Sequence, residues 1–246
     1  MQAPAFMFDR TVHGVTLKID HSLISDFPVF AGLPIEGLDD ILAGAHARHY
    51  PKGTPVFSQN EDAHSFFLLL HGRLRVTQVT PHGEQIVVRF VSPGDLFGVA
   101  MAFGRESYPG TATALVDSLV VLWPSAAWPA MVGRYPALAN NTMRIIGGRL
   151  QEAHQRLREI STEDVERRVA HAVLKLADEA GQASPAGTVI AFPLSRQDIA
   201  EMTATTLHTV SRIVSAWEAA GIIESGRQRI TLRNRERLQA VADGAT

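Results

Sequence analysis

The sequence predicts an α+β chain in three consecutive parts: an N-terminal β-rich barrel or sandwich, one long helix and a C-terminal winged helix-turn-helix. Three observations predict it. Short apolar runs broken by Gly and Pro fill the stretch 27–123. A heptad-spaced apolar stripe runs from Met143 to Ile160 with no Gly-Pro turn. A short helix, a turn, an amphipathic helix and a basic hairpin then follow one another after Ser195.

The composition bounds the class. The chain has 246 residues, a size for one large domain or two ordinary ones. It is 46 % hydrophobic and 20 % charged, with no apolar run long enough to cross a bilayer. Residues 1–14 lack a basic region followed by an apolar core, so no export signal is expected and the expected location is cytoplasmic. There is no cysteine. Disulfides, zinc–thiolate sites and cysteine-held iron–sulfur clusters are thereby excluded. The net charge of −2 does not advertise a nucleic-acid partner. Its distribution is uneven, however: Arg227, Arg229, Arg233, Arg235 and Arg237 face only Glu236 between Ser225 and Arg237.

In the first part, TPVFSQ, SFFLLLHGRLRVTQV and EQIVVRFV are separated by PKG at 51–53, HG at 71–72, PHG at 81–83 and PGD at 93–95. Short strands with regular Gly-containing turns indicate an antiparallel barrel or sandwich. The alternation is too loose to fix a register.

The texture changes after Trp128-Pro129. Met143, Ile146, Leu150, Ala153, Leu157 and Ile160 are spaced alternately three and four residues apart, the seam of a coiled coil. A helix from Pro136 to about Ser161 would be roughly 40 Å long at ~1.5 Å per residue. Its stripe must be covered, either by its own barrel or by a symmetric partner helix; the expectation is a homodimer. Gly147-Gly148 lowers helix propensity locally, yet also permits close helix approach.

Asp164–Ala180 reads as a second helix, with Val165, Val169, Val173 and Leu176 on its apolar face and Gly181 able to end it. GQASPAGT reads as a polar turn or small excursion. Ser195 then caps a short helix, with Asp198 as its reciprocal partner, and Ile199, Ala200 and Met202 face the core. Thr205 or Thr206 caps the next helix, whose Val210, Ile213, Val214 and Trp217 point inward and whose run stops at Gly221. In a helix-turn-helix the second helix enters the major groove of double-stranded DNA with its first residues toward the bases. Those residues are Thr206, Leu207, His208, Thr209, Ser211 and Arg212. Arg212 suits a fork onto guanine or a phosphate. Leu207 suits a thymine methyl or packing on the first helix. GIIESGRQRITLRN reads as a β-wing turning at Ser225-Gly226, with Arg227 and Arg229 over phosphates.

Taken with these features, the chain resembles the cyclic-AMP receptor protein / fumarate–nitrate regulator (Crp/Fnr) family of bacterial transcription regulators. The resemblance covers about residues 27–238. It is carried by FPVFAGLP (27–34), YPKGTPVFSQNEDAHSFFLLLHGRLRV (50–76), PGDLFG (93–98) and PLSRQDIAEMTATTLHTVSRIVSAWEAAGII (193–223). It implies a double-stranded β-helix (jelly roll) sensor barrel over 20–133, a dimerisation helix over 134–162 and a winged helix-turn-helix over 163–238. It also implies a dimer on a twofold-symmetric promoter site, switched by a small effector and acting with RNA polymerase. No enzyme activity is expected.

The resemblance also bears on the effector. Cyclic-nucleotide-binding relatives carry a ribose-holding glutamate after PGDLFG, where this chain has Val99. Their phosphate-gripping Arg-Ser pair falls near Tyr108 and Pro109, with Arg105 a few residues early. Cyclic nucleotide binding in the usual pocket is therefore not expected. Carbon-monoxide-sensing relatives bind heme through a histidine where GVAMAFG has none. YPGTATAL (108–115) and TTLHTVSRIVSAWEAAG (205–221) resemble the cysteine-free nitric-oxide-responsive branch. That resemblance implies heme as cofactor and control of nitrogen-oxide or anaerobic respiration genes. His208 replaces the family's base-reading glutamate, which puts its usual half-site in doubt, whereas Arg212 matches the family arginine. Among His13, His21, His46, His49, His64, His71, His82, His154, His171 and His208 the sequence selects no ligand, and the metal site is left unknown. Three alternatives stay open: a regulator with an organic effector, one with none, and a cupin-like metalloenzyme using His64, His71 and His82.

Overall fold

A computed structural model describes residues 20–245. The expectation about an export signal, and His13, lie outside the described residues. After two single-turn 3₁₀ segments and helix α1 (Ile35–Ala43) come eight strands: β1 (His46–Tyr50), β2 (Pro55–Phe57), β3 (Ser65–His71), β4 (Leu74–Val79), β5 (Gln85–Val91), β6 (Leu96–Phe97), β7 (Thr111–Ala114) and β8 (Ser118–Pro124). They form two antiparallel four-stranded sheets, ordered β1-β8-β3-β6 and β2-β7-β4-β5.

The expected barrel is corrected to this sandwich, since no closed barrel is found among the described residues. The Gly-containing breakers explain it. Gly53, Gly72 and Gly94 all have φ near +90° and stand where the chain leaves one sheet for the other. At Gly72 a Cβ would lie 2.3 Å from Ser118 Oγ. These glycines break the ladder at each crossing and leave two open sheets face to face. The first sheet is buried on both sides. Phe67 and Leu69 pack toward the second sheet, whereas Phe66 and Leu68 pack with Leu38, Trp123 and Leu138. That double burial is why SFFLLLH lacks alternation.

Helix α2 (Trp128–Arg134) leads into α3 (Pro136–Thr162). One stripe of α3 packs on the sandwich through buried Leu138, Asn141 and Thr142, with Arg149 and Arg156 donating to Leu96 O and Val88 O. The adjacent stripe is bare. Met143, Leu150, Leu157 and Ile160 are 69, 55, 63 and 40 % exposed in the single chain, with Ala153 exposed and Ile146 half-buried beside them. A Cβ at Gly147 or Gly148 would meet open space.

Asp164 accepts from Arg167 N (3.0 Å) and caps α4 (Val165–Ala180). Gly181 ends α4 as expected, at φ −75°, and opens a strand. A Cβ there would lie 2.2 Å from Ala177 O, so close approach, not handedness, suits glycine. The expected polar excursion is a hairpin of β9 (Gly181–Ser184) and β10 (Gly187–Ile190). Helices α5 (Arg196–Met202) and α6 (Leu207–Ala219), strands β11 (Ile223–Gly226) and β12 (Arg229–Leu232), and helix α7 (Arg235–Asp243) complete the chain. The wing is thus half of a four-stranded sheet, β11-β12-β10-β9. Its turn is Arg227-Gln228, with Gln228 at φ +57°, and not the expected Ser225-Gly226, which lies within β11.

Candidate nucleic-acid interface

The head is built on two caps. Ser195 Oγ accepts from Asp198 N (3.1 Å) while Asp198 accepts from Ser195 N (2.9 Å), a reciprocal box that starts α5. Thr206, not Thr205, caps α6: its hydroxyl accepts from Thr209 N at 3.2 Å and lies 2.9 Å from Thr209 Oγ1. Between them Ala204 takes φ +51° and Thr205 N donates to Ala200 O, closing the turn. Ile199, Ala200, Met202, Val210, Ile213, Val214 and Trp217 are buried in one core. Gly221, at φ +69°, ends α6.

The outward face of α6 carries the expected residues. Leu207 is 47 % exposed. Thr206, His208 and Arg212 are exposed, and Thr209 and Ser211 are half-buried. The Arg212 side chain has no hydrogen bond or ion pair with the rest of the described chain. On the wing, Arg227 stands exposed in the turn and Arg229 exposed just after it.

The rest of the basic run is spoken for. Arg233 pairs with Glu224 and holds that carboxyl below its ordinary pKa, Arg235 pairs with Asp178 (2.8 Å), and Arg237 donates to Ala220 O (2.6 Å). A bracket absent from the sequence reading joins the wing to both helices. Glu218 on α6 accepts from Ser225 N (2.9 Å) and Oγ (2.6 Å), and Arg196 on α5 donates to Ser225 Oγ (3.0 Å). Its only sequence signal is that these polar residues flank the caps.

The head also rests on the sandwich, which the sequence did not show. Phe192 packs against Phe90 of β5 (centroids 4.9 Å apart) and under the Arg73 guanidinium (4.4 Å), Arg75 of β4 pairs with Asp198, and Gln85 donates to Glu201 (3.1 Å).

Inside the sandwich, the position expected for a phosphate grip is occupied by the Tyr108 ring. It is 2 % exposed, stacked 3.9 Å from Phe57, and its hydroxyl donates to Ser65 O (2.7 Å). Burial raises the pKa of this phenol. Val99 packs beside the apolar cluster of Phe30 and Leu96, and Arg105 is exposed. His64, His71 and His82 are exposed on separate turns or strand ends. Among the described residues, no three His, Asp or Glu side chains form a group that could hold a metal ion. No helix among them is long and apolar enough to cross a membrane.

Comparison with known proteins agrees with this architecture. Residues 47–135 match the cyclic nucleotide-binding domain family and residues 167–241 the Crp-like helix-turn-helix domain. The chain is 28 % identical to a cyclic AMP receptor protein of Thermus thermophilus over 217 residues, which is 88 % of this chain and 97 % of that one. It is 26 % identical to the transcriptional activator protein FnrA of Stutzerimonas stutzeri, covering 86 % and 85 % of the two chains. The solved structure of FixK2 from Bradyrhizobium japonicum superposes with a TM-score of 0.70 at 27 % identity, over 80 % of this chain and 96 % of that one. These relatives are regulators, not enzymes. With both domains matched and the likeness running through the helix between them, the chain belongs to the Crp/Fnr superfamily of DNA-binding transcription regulators.

Proposed function

We propose that two copies of this chain pair along α3 and read a twofold-symmetric promoter site, recruiting or obstructing RNA polymerase there, with the sandwich supplying the response to an effector. The observation that carries this is the bare stripe Met143–Leu150–Leu157–Ile160 beside an outward-facing α6. A solvent-exposed heptad seam loses its hydrophobic contribution unless a partner covers it. The twofold axis of such a pair would set two α6 helices on successive major grooves, about 34 Å apart. The experiment is selection of bound fragments from random duplex DNA by the full-length protein, with sedimentation of the complex. Enrichment of a palindrome bound by two chains supports the reading; asymmetric or unselective binding by one chain defeats it.

The effector reading favours an organic ligand or none over a cyclic nucleotide. Tyr108 and Val99 offer a cyclic phosphate and ribose neither cation nor carboxylate, so the donor set does not fit. A heme-borne response to nitric oxide is a second reading, motivated by the resemblance of 108–115 and 205–221. The exposed positions of His71, at the end of β3, and His82, in a turn, do not fit a buried axial ligand. Adding heme to the purified protein tests it: a saturable one-per-chain absorption spectrum whose nitric oxide form binds DNA more tightly would establish the response, and an unaltered spectrum would remove it.

A further inference from the structure

A cleft of about 700 Å³ lies where the sandwich, α3 and the head meet. Arg89 of β5, Arg149 and Arg156 of α3 and Lys175 of α4 line it, against Asp95, Glu152 and Glu179. The carboxylates are already shared. Asp95 accepts from Arg89 (3.2 Å), Arg149 (2.9 Å) and Ser92 N (2.9 Å), and Lys175 sits between Glu152 (2.7 Å) and Glu179 (3.7 Å). Arg156 has only the Val88 carbonyl.

Behind Ser92, which lines the cleft, stands Arg73. It is 5 % exposed and donates through Nη1 to Ser92 Oγ, while its Nε and Nη2 are buried with no acceptor. Four cations line the cleft, with Arg73 behind Ser92 as a fifth within reach of the same charges, against three carboxylates. An anion in the cleft would offset this excess of positive charge through the cations that line it. Burial, reinforced by Arg149, lowers the Arg89 pKa to about 10, a sign that its positive charge is under-compensated.

We propose that this cleft is a binding site for a small, doubly charged oxyanion, such as a phosphate monoester or a dicarboxylate. Its charge would balance the two surplus cations, and bidentate arginine forks suit either anion. Such a ligand would touch β5, α3 and α4 at once and so favour one placement of the head over others. That consequence rests on the effector-responsive regulator proposed above.

The test is calorimetric titration of the full-length protein with sodium phosphate and, separately, sodium succinate, with sodium chloride at matched ionic strength as control. One saturable site per chain is expected for at least one dianion, with a thermal midpoint that rises with its concentration. Phosphate alone binding would specify a phospho-compound, succinate alone a dicarboxylate. Arg156→Gln and Lys175→Met, both at partly exposed positions that leave the core intact, should each weaken binding at least tenfold. No saturable binding beyond chloride, or binding indifferent to both substitutions, overturns the proposal. Selective promoter binding measured on the same preparation separates the two readings. Intact promoter binding without dianion binding defeats only the site, and the reverse defeats only the regulator reading.

Discussion

Arg75 on β4 and Asp198 on α5 form an ion pair that ties the sandwich to the first helix of the reading head. Asp198 is 3 % exposed, and its second oxygen is engaged by Ser195 N and Oγ. One carboxylate therefore both starts α5 and anchors it to the other domain. Arg75→Ala would leave that charge buried and half-compensated, at a cost of about 2 kcal/mol. Asp198→Asn should cost less, since an amide oxygen can still accept within the cap. In urea unfolding the double variant should lose less than the sum of the singles, by about 1 kcal/mol of coupling. Strict additivity would show that the pair contributes nothing.

The seam of α3 offers a cleaner separation of assembly from folding. Leu150 is 55 % exposed in the single chain, so Leu150→Glu should leave the helical circular dichroism signal and each domain's core unaltered. At a coiled-coil seam the same change buries two facing carboxylates. Sedimentation should show association weakened at least a hundredfold, with promoter affinity falling alongside. A dimer that survives would mean that another surface pairs the chains.

How much of this was legible follows from which residues answer to local rules. The apolar stripe on α3, the Ser195–Asp198 box and the Gly221 stop are set by spacing and capping within a few residues, and all were readable. The strand register was not, because β3 is buried on both faces and so loses the alternation that would have fixed it. The β9–β10 hairpin escaped because Gln182, Ala183 and Ser184 have low strand propensity and are held by pairing with β10. The basic run looked like one patch. Only tertiary structure shows that Arg233, Arg235 and Arg237 are internally occupied while Arg212, Arg227 and Arg229 stand free. The contacts of Phe192 and Arg73 are long-range and left no local pattern at all.

That division of the arginines predicts two kinds of defect. Arg212→Ala removes a fork at the base edges and should cost about 1–3 kcal/mol on the preferred site, with much less loss on unrelated duplex. Arg227→Ala should weaken binding to all sequences equally and lower the slope of log affinity against log salt by about 1. Fluorescence anisotropy with specific and scrambled duplexes across a salt series measures both. If Arg212→Ala kept its selectivity, the reading face would be assigned to the wrong side of α6.

The last prediction concerns pH. Glu179 lies on α4 facing the sandwich, and burial raises its carboxyl pKa above the ordinary 4.5; Lys175 opposes the shift and Glu152 adds to it. A carboxyl whose folded-state pKa exceeds its unfolded value binds its proton more tightly when folded. Below about 4.5 both states are protonated and the group contributes no penalty. As pH rises through the raised pKa, the folded state must ionise an unfavourably placed acid, and stability is lost. Glu179→Gln removes that loss, so its thermal midpoint should exceed that of the parent protein at pH 7, and the gap should close as pH falls toward 4. The side chain is partly solvated, which keeps the gap small, and the loss of its contact with Lys175 narrows it further. A gap that stayed constant from pH 4 to 8 would mean that the glutamine acts through packing, and that ionisation of Glu179 carries no penalty.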